Sequence, residues 1–222
     1  VVHILLNTFR FAEPWCRPAL SQYLTGSQQV LIFPLAFRPQ QISSAADWDR
    51  FYVPDTGLFS GGLRDVFAQY GIPADRLRWV NCFTDEPSAL RDHIRNSDVL
   101  YFCGGQPELL YRRLEQLDLL PALRGYDGIV LGDSAGAVIQ LDTYHLTPDR
   151  DCPAFHYAPG IGWLHGFDLE VHDTASPAQE TSIARVLRER SVPVYGIGDG
   201  GALVVDNGVV TPLGNVRRID PA

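Results

Sequence analysis

A chain of 222 residues that is 45% hydrophobic and 20% charged is long enough to bury one sizeable core, and its length predicts a single α/β domain over residues 1–222. With 26 acidic against 18 basic residues the net charge is -8, and no basic run or aromatic-basic interleaving offers a surface for phosphates, which argues against a nucleic-acid partner. The longest apolar stretches, such as residues 30–37, are too short to span a bilayer, no charged-then-apolar leader opens the chain, and Cys16, Cys82, Cys103 and Cys152 lack a C-x-x-C pair; the expectation is a cytoplasmic protein with reduced thiols and no membrane association.

In chain order, Val1–Leu6 is a short buried-type run, and residues 14–24 carry Trp15, Leu20 and Leu24 at helical spacing. Residues 29–33 form a second strand candidate; residues 43–51 and 61–70 look helical, and 77–83 a third strand. After a helix over 88–95, residues 98–103 make a fourth strand that ends in Gly104-Gly105. The helix from Pro107 then sets Leu110, Leu114 and Leu117 on one face. Strands alternating with helices through short connections predict a mostly parallel sheet covered on both faces, with residues 129–131 as its fifth and central strand. Residues 143–163 have weak periodicity and read as a long irregular segment. Residues 167–172 alternate like a strand, Ser176 caps a helix through Leu187, and residues 192–219 read as short strands joined by Gly200-Gly201 and Asp206-Asn207-Gly208, a C-terminal hairpin region.

The chemistry centres on Gly132-Asp133-Ser134-Ala135-Gly136, a G-x-S-x-G sequence between an apolar strand and a small-residue helix start. That placement fits a nucleophile elbow, where a sharp turn pushes the serine hydroxyl out of the backbone and a side chain at either glycine would make strand and helix collide. A serine hydroxyl is too weak an acid to attack a carbonyl unaided, so a base oriented by a third group must lie within hydrogen-bond reach. Of the six histidines, His3 and His93 read as structural and His145, His156 and His165 as loop residues. His172 ends an apolar strand, where an open sheet places a ligand crevice. Backbone N–H groups of Gly105 and Ala135 are candidate donors to a developing oxyanion.

Residues 101–110, Tyr-Phe-Cys-Gly-Gly-Gln-Pro-Glu-Leu-Leu, then Gly132 to Ala137, Pro159 to Leu164 and Val171-His172-Asp173, resemble in order the dipeptidase E and cyanophycinase family of serine peptidases. The resemblance implies a three-layer, class I glutamine amidotransferase-like (flavodoxin-like) fold and hydrolysis of a dipeptide, short peptide or isopeptide through an acyl-enzyme. It implies Ser134 as nucleophile, His172 as base and acid, and Gly105 and Ala135 as the oxyanion hole, with no cofactor or metal. In dipeptidase E the acid lies fifteen positions after the serine, which falls on Asp149, with Asp151 and Asp173 as alternatives. Gly104 and Arg185 are candidate substrate-binding residues; Ser182 stands where dipeptidase E has an arginine, and Asp133 puts a negative charge beside the nucleophile. The expected partner is a small peptide, bound by a monomer or homodimer. The competing readings are a non-catalytic ligand- or partner-binding domain of the same fold, a cyanophycinase-like β-aspartyl-arginine hydrolase, and an α/β-hydrolase esterase.

Overall fold

The structure, a computed structural model, describes residues 1–53, 56–150 and 152–221. Its elements run β1 (Val2–Leu6), α1 (Arg17–Leu20), β2 (Val30–Phe33), α2 (Ala45–Tyr52), α3 (Ser60–Ala68), β3 (Leu77–Trp79), α4 (Pro87–Asn96), β4 (Val99–Phe102), α5 (Pro107–Gln116), α6 (Leu120–Arg124), β5 (Ile129–Asp133), α7 (Ala135–Val138), β6 (Thr143–Leu146), β7 (His156–Pro159), β8 (Asp168–Val171), α8 (Pro177–Arg190), β9 (Val194–Asp206) and β10 (Val209–Ile219). The main sheet has the order β10-β9-β1-β5-β4-β2-β3, with β8 paired to β9 beside that path. From β1 to β3 the pairing is parallel, and β9 and β10 are antiparallel additions.

Alternation along the strands divides the apolar residues between two layers. Leu5, Leu31, Phe102 and Val130 join one cluster, while their chain neighbours Ile4, Ile32, Tyr101 and Leu131 join the other. Leu90 and Ile94 of α4 and Leu110 and Leu114 of α5 cover the first face, and Leu20 of α1 with Leu63 and Phe67 of α3 cover the second. Each such side chain taken out of water contributes ~1.5–3 kcal/mol. This is the mostly parallel, helix-covered α/β architecture that the residue pattern predicts.

Two stretches differ from the sequence reading. Residues 143–163 are not irregular throughout: β6 and β7 form an antiparallel two-stranded sheet, with Thr143 opposite Pro159 and Leu146 opposite His156. The pattern hides it because the inward residues, His145 and Tyr144 among them, are polar or amphipathic and find their partners in the fold rather than in the sequence. The C-terminal region is likewise not a set of short strands: β9 runs unbroken through Gly200-Gly201, and only Asn207-Gly208, both at positive φ, make the turn.

That long strand brings the site together. The end of β8 pairs at Val171 with Ile197, and the end of β1 pairs at Leu6 with Ala202, so the two strands run toward each other along β9 and stop on either side of residues 198–201. β1, β5 and β4 all end at that level, with Leu6 opposite Asp133 and Phe102 opposite Gly132. The residue after β8 therefore arrives at the same sheet edge as the residue after β5, from the opposite direction.

Candidate active site

Ser134 stands between β5 and α7 at φ 51° and ψ -110°, a positive-φ conformation that L side chains rarely adopt. Strain of this kind costs about 1–3 kcal/mol and persists only where the surroundings enforce it. Here the flanking glycines enforce it. A Cβ on Gly132 would lie 2.0 Å from the carbonyl oxygen of Gly136, and one on Gly136 would lie 1.9 Å from that of Phe102. Strand, turn and helix are packed backbone on backbone, which leaves the serine hydroxyl to project from the edge.

His172 also has positive φ, 56°, and its imidazole Nε2 lies 2.8 Å from Ser134 Oγ. Its backbone is held on both sides: its N–H donates to Asn7 Oδ1 at 2.7 Å, and its carbonyl accepts from Gln179 Nε2 at 2.9 Å. Gln179 is itself fixed as the third residue of the α8 capping box with Ser176, and the same Nε2 donates to Glu170 Oε1 at 3.2 Å. Burial pulls the pKa of His172 below its ordinary value, opposed by the charges of Glu170 and Asp199. A neutral imidazole is what a general base must be before it acts.

Gly105 and Ala135 border the same cavity of about 300 Å³ as Ser134 and His172. Gly105 has φ 137°, and a Cβ there would meet the carbonyl oxygen of Ala36 at 2.5 Å, so only glycine lets the chain turn at this point. Ala135 begins α7, whose first N–H groups are free of intrahelical partners.

The three carboxylates considered for the acid role fare differently. Asp149 borders the Ser134–His172 cavity, and its Oδ1 accepts from the backbone N–H of Cys152 at 2.7 Å. Asp173 turns away from the site: it accepts from Ala175 N–H and pairs with Arg217, which also reaches Glu180 at 2.5 Å. Asp151 lies outside the described residues. Among the described residues no hydrogen bond joins a carboxylate to Nδ1 of His172; Glu170, two residues before it in β8, is the foremost charge acting on the ring. Arg185 faces other partners. Its guanidinium bonds Glu189 at 2.8 Å and lies over the ring of Phe155, and it borders neither cavity at Ser134.

Two residues of the site escape sequence reasoning. Asn7 and Gln179 act through the backbone of His172 and carry no motif, although Gln179 stands three residues after the cap Ser176, the spacing of a capping box. Glu170 sits in a buried network. It lies 2.8 Å from His145 Nε2 and also accepts from Thr147, while Asp168 lies 3.1 Å from the other ring nitrogen of His145 and takes Arg190 at 2.6 Å. Burial alone would depress the pKa of His145, but bonds and charges from Asp168 and Glu170 outweigh it and hold it at about 9, so this histidine is a buried cation. Among the described residues no group of three or more His, Cys, Asp and Glu side chains is placed to hold a metal ion, and no helix is long and apolar enough to cross a membrane.

A family model for peptidase family S51 matches residues 52–213, well over half of the chain. Over its whole length the fold is similar to two crystal structures. One is of a candidate peptidase E protein from Listeria monocytogenes EGD-e, at 16% identity and a TM-score of 0.64, covering 99% of this chain and 98% of that one. The other is of a peptidase from an acI-B1 Actinobacterium, at 16% identity and a TM-score of 0.61, covering 99% of this chain and 96% of that one. No curated protein sequence matches. An elbow serine at the edge of a mostly parallel sheet, within a family match that spans the elbow and the strands on either side of it, leads to one assignment: the chain belongs to peptidase family S51, the dipeptidase E and cyanophycinase family of serine peptidases.

Proposed function

We propose that this protein hydrolyses the amide bond of a dipeptide or short peptide through an acyl-enzyme on Ser134. The observation that carries the reading is the 2.8 Å contact between Ser134 Oγ and His172 Nε2 at a strained elbow. Neutral His172 removes the hydroxyl proton as Oγ attacks the carbonyl carbon. The oxygen then takes up negative charge facing the N–H groups of Gly105 and Ala135. His172 delivers its proton to the leaving amine, the C–N bond breaks, and a water activated by the same ring releases the acid and restores the serine.

Asp149 is the proposed acidic partner of the imidazole, supported by its place on the wall of the same cavity. The ring's attitude rests as well on the Asn7 and Gln179 bonds that fix its backbone.

The test is a dipeptide panel varied at its amino-terminal residue, assayed with the wild-type protein and Ser134→Ala. Amine release by the wild type and its loss by at least about 10³-fold in the variant are expected. Equal rates in the two proteins, or no hydrolysis of any member by the wild type, contradict the proposal.

A further inference from the structure

A second cavity of about 770 Å³ opens from the other side of the nucleophile. Ser134, Gly105 and Gln106 border both cavities, but His172 borders only the smaller one. In the acyl-enzyme reading His172 gives its proton to the departing amine, so the leaving group sits in the smaller cavity and the acyl residue extends into the larger. The subsite assignment rests on that reading.

The wall of the larger cavity is aromatic and already assembled. Phe51 stacks on Phe59 at a centroid distance of 5.3 Å, Tyr52 on Trp79 at 6.0 Å, and the guanidinium of Arg113 lies 3.7 Å from the centre of the Phe37 ring, fixing that ring from behind. Phe9, Leu58 and Phe59, 45%, 63% and 59% exposed, all border this cavity, so three of the six exposed large apolar side chains among the described residues gather at one place. Apolar surface concentrated in this way marks a binding site rather than an accident of packing.

Among the described residues that border this cavity, one carries a carboxyl group: Asp133, immediately before the nucleophile in the chain. Its Oδ1 accepts from the hydroxyl of Tyr101 at 2.7 Å and from Gly104 N–H at 3.1 Å, while Oδ2 takes neither bond and lies beside Gly104. Burial pushes this carboxyl up to about 6, and a positive group placed beside it favours its ionised form. Arg38 and Arg150 also border the cavity, and Arg150 is exposed, where water screens its charge.

We propose that the larger cavity is the acyl-side subsite and selects an amino-terminal residue with a large aromatic side chain and a free α-ammonium, the side chain packing on the aromatic wall and the ammonium pairing with Asp133. The α-amine of an amino-terminal residue is attached to the carbon next to the attacked carbonyl, so its partner must adjoin the nucleophile, as Asp133 does. An acidic side chain entering the same cavity would meet that carboxylate.

Binding to Ser134→Ala, which holds peptide without turning it over, tests this by calorimetry with four ligands: phenylalanyl-alanine, its N-acetyl derivative, alanyl-alanine and aspartyl-alanine. Phenylalanyl-alanine is expected to bind at least about tenfold more tightly than each of the other three, a difference of about 1.4 kcal/mol. Adding Asp133→Asn is expected to erase the penalty of acetylation while keeping the preference for phenylalanine over alanine. The proposal is overturned if aspartyl-alanine matches phenylalanyl-alanine, if acetylation costs nothing, or if phenylalanyl-alanine does not bind. Should the Asp133→Asn protein not fold, the acetylated and free pair on Ser134→Ala alone decides the matter. Fluorophosphonate labelling of the wild-type serine separates the two failures: a labelled serine with no aromatic preference sinks the subsite and leaves the peptidase reading standing.

Discussion

Ser134 and His172, separated by 38 residues, stand 2.8 Å apart, and both are held at positive φ, 51° and 56°. Neither conformation is favourable in an isolated chain. Each is imposed by its surroundings: the glycines at 132 and 136 on one side, the Asn7 and Gln179 bonds on the other.

The close packing of the elbow gives a first prediction. In Gly136→Ala the added methyl group meets the Phe102 carbonyl at 1.9 Å, with backbone rather than a flexible side chain having to yield. Destabilisation of at least about 3 kcal/mol is expected by chemical denaturation, together with loss of hydrolysis. A variant as stable and active as the wild type would show that the elbow has room for a side chain.

The pH profile gives a second. His172 must be neutral to act, and burial lowers its pKa, so kcat/KM is expected to be flat from neutral pH downward and to fall only below 6.5, the ordinary value. The carboxylates of Glu170 and Asp199 act in the other sense, favouring the protonated ring. Removing the first charge in Glu170→Gln therefore moves the acid limb to lower pH still. A limb that lies above 6.5, or that moves upward in this variant, contradicts the assignment of the base.

Much of this was legible in the chain. Alternating apolar runs and short connections are enough for a helix-covered parallel sheet, because strands buried on both faces must be almost wholly apolar. The G-x-S-x-G run and the position of His172 at a strand end point to the two side chains that the fold brings to 2.8 Å of each other, since the strained turn demands glycine locally. Asn7, Gln179 and the partners of His145 were not legible. They are polar residues that look solvent-facing in sequence and become meaningful only when β1 and β8 meet head to head along β9. The partner of Arg185 is of a different kind: a charge on a helix near the site in sequence pairs with Glu189, one turn away.

A third prediction concerns stability rather than chemistry. His145 is a buried cation between Asp168 and Glu170. Removing it in His145→Ala leaves two carboxylates buried with one fewer counter-charge, and a loss of about 3–5 kcal/mol is expected in urea unfolding. The sign with pH is set by the raised pKa: the stabilisation is full below 6.5 and fades as pH rises through about 9. A wild-type protein whose stability is constant from pH 6.5 to 10 would contradict a charged His145.

The acid role separates two carboxylates. Asp149 borders the cavity, whereas Asp173 is committed to Arg217. Asp149→Asn is expected to lower kcat by about 10²-fold or more with KM little changed, and Asp173→Asn to cost stability while leaving kcat within a few fold. The reverse pattern would move the acid role to Asp173.

Covalent labelling tests the central claim most directly, because it asks only whether the hydroxyl of residue 134 is activated. Intact-mass spectrometry after exposure to a fluorophosphonate should show a single adduct on Ser134, absent from Ser134→Ala and slowed by at least about 10²-fold in His172→Ala. A wild-type protein that remains unmodified, or a His172→Ala protein that reacts as fast as the wild type, would contradict the pairing of this serine with this histidine.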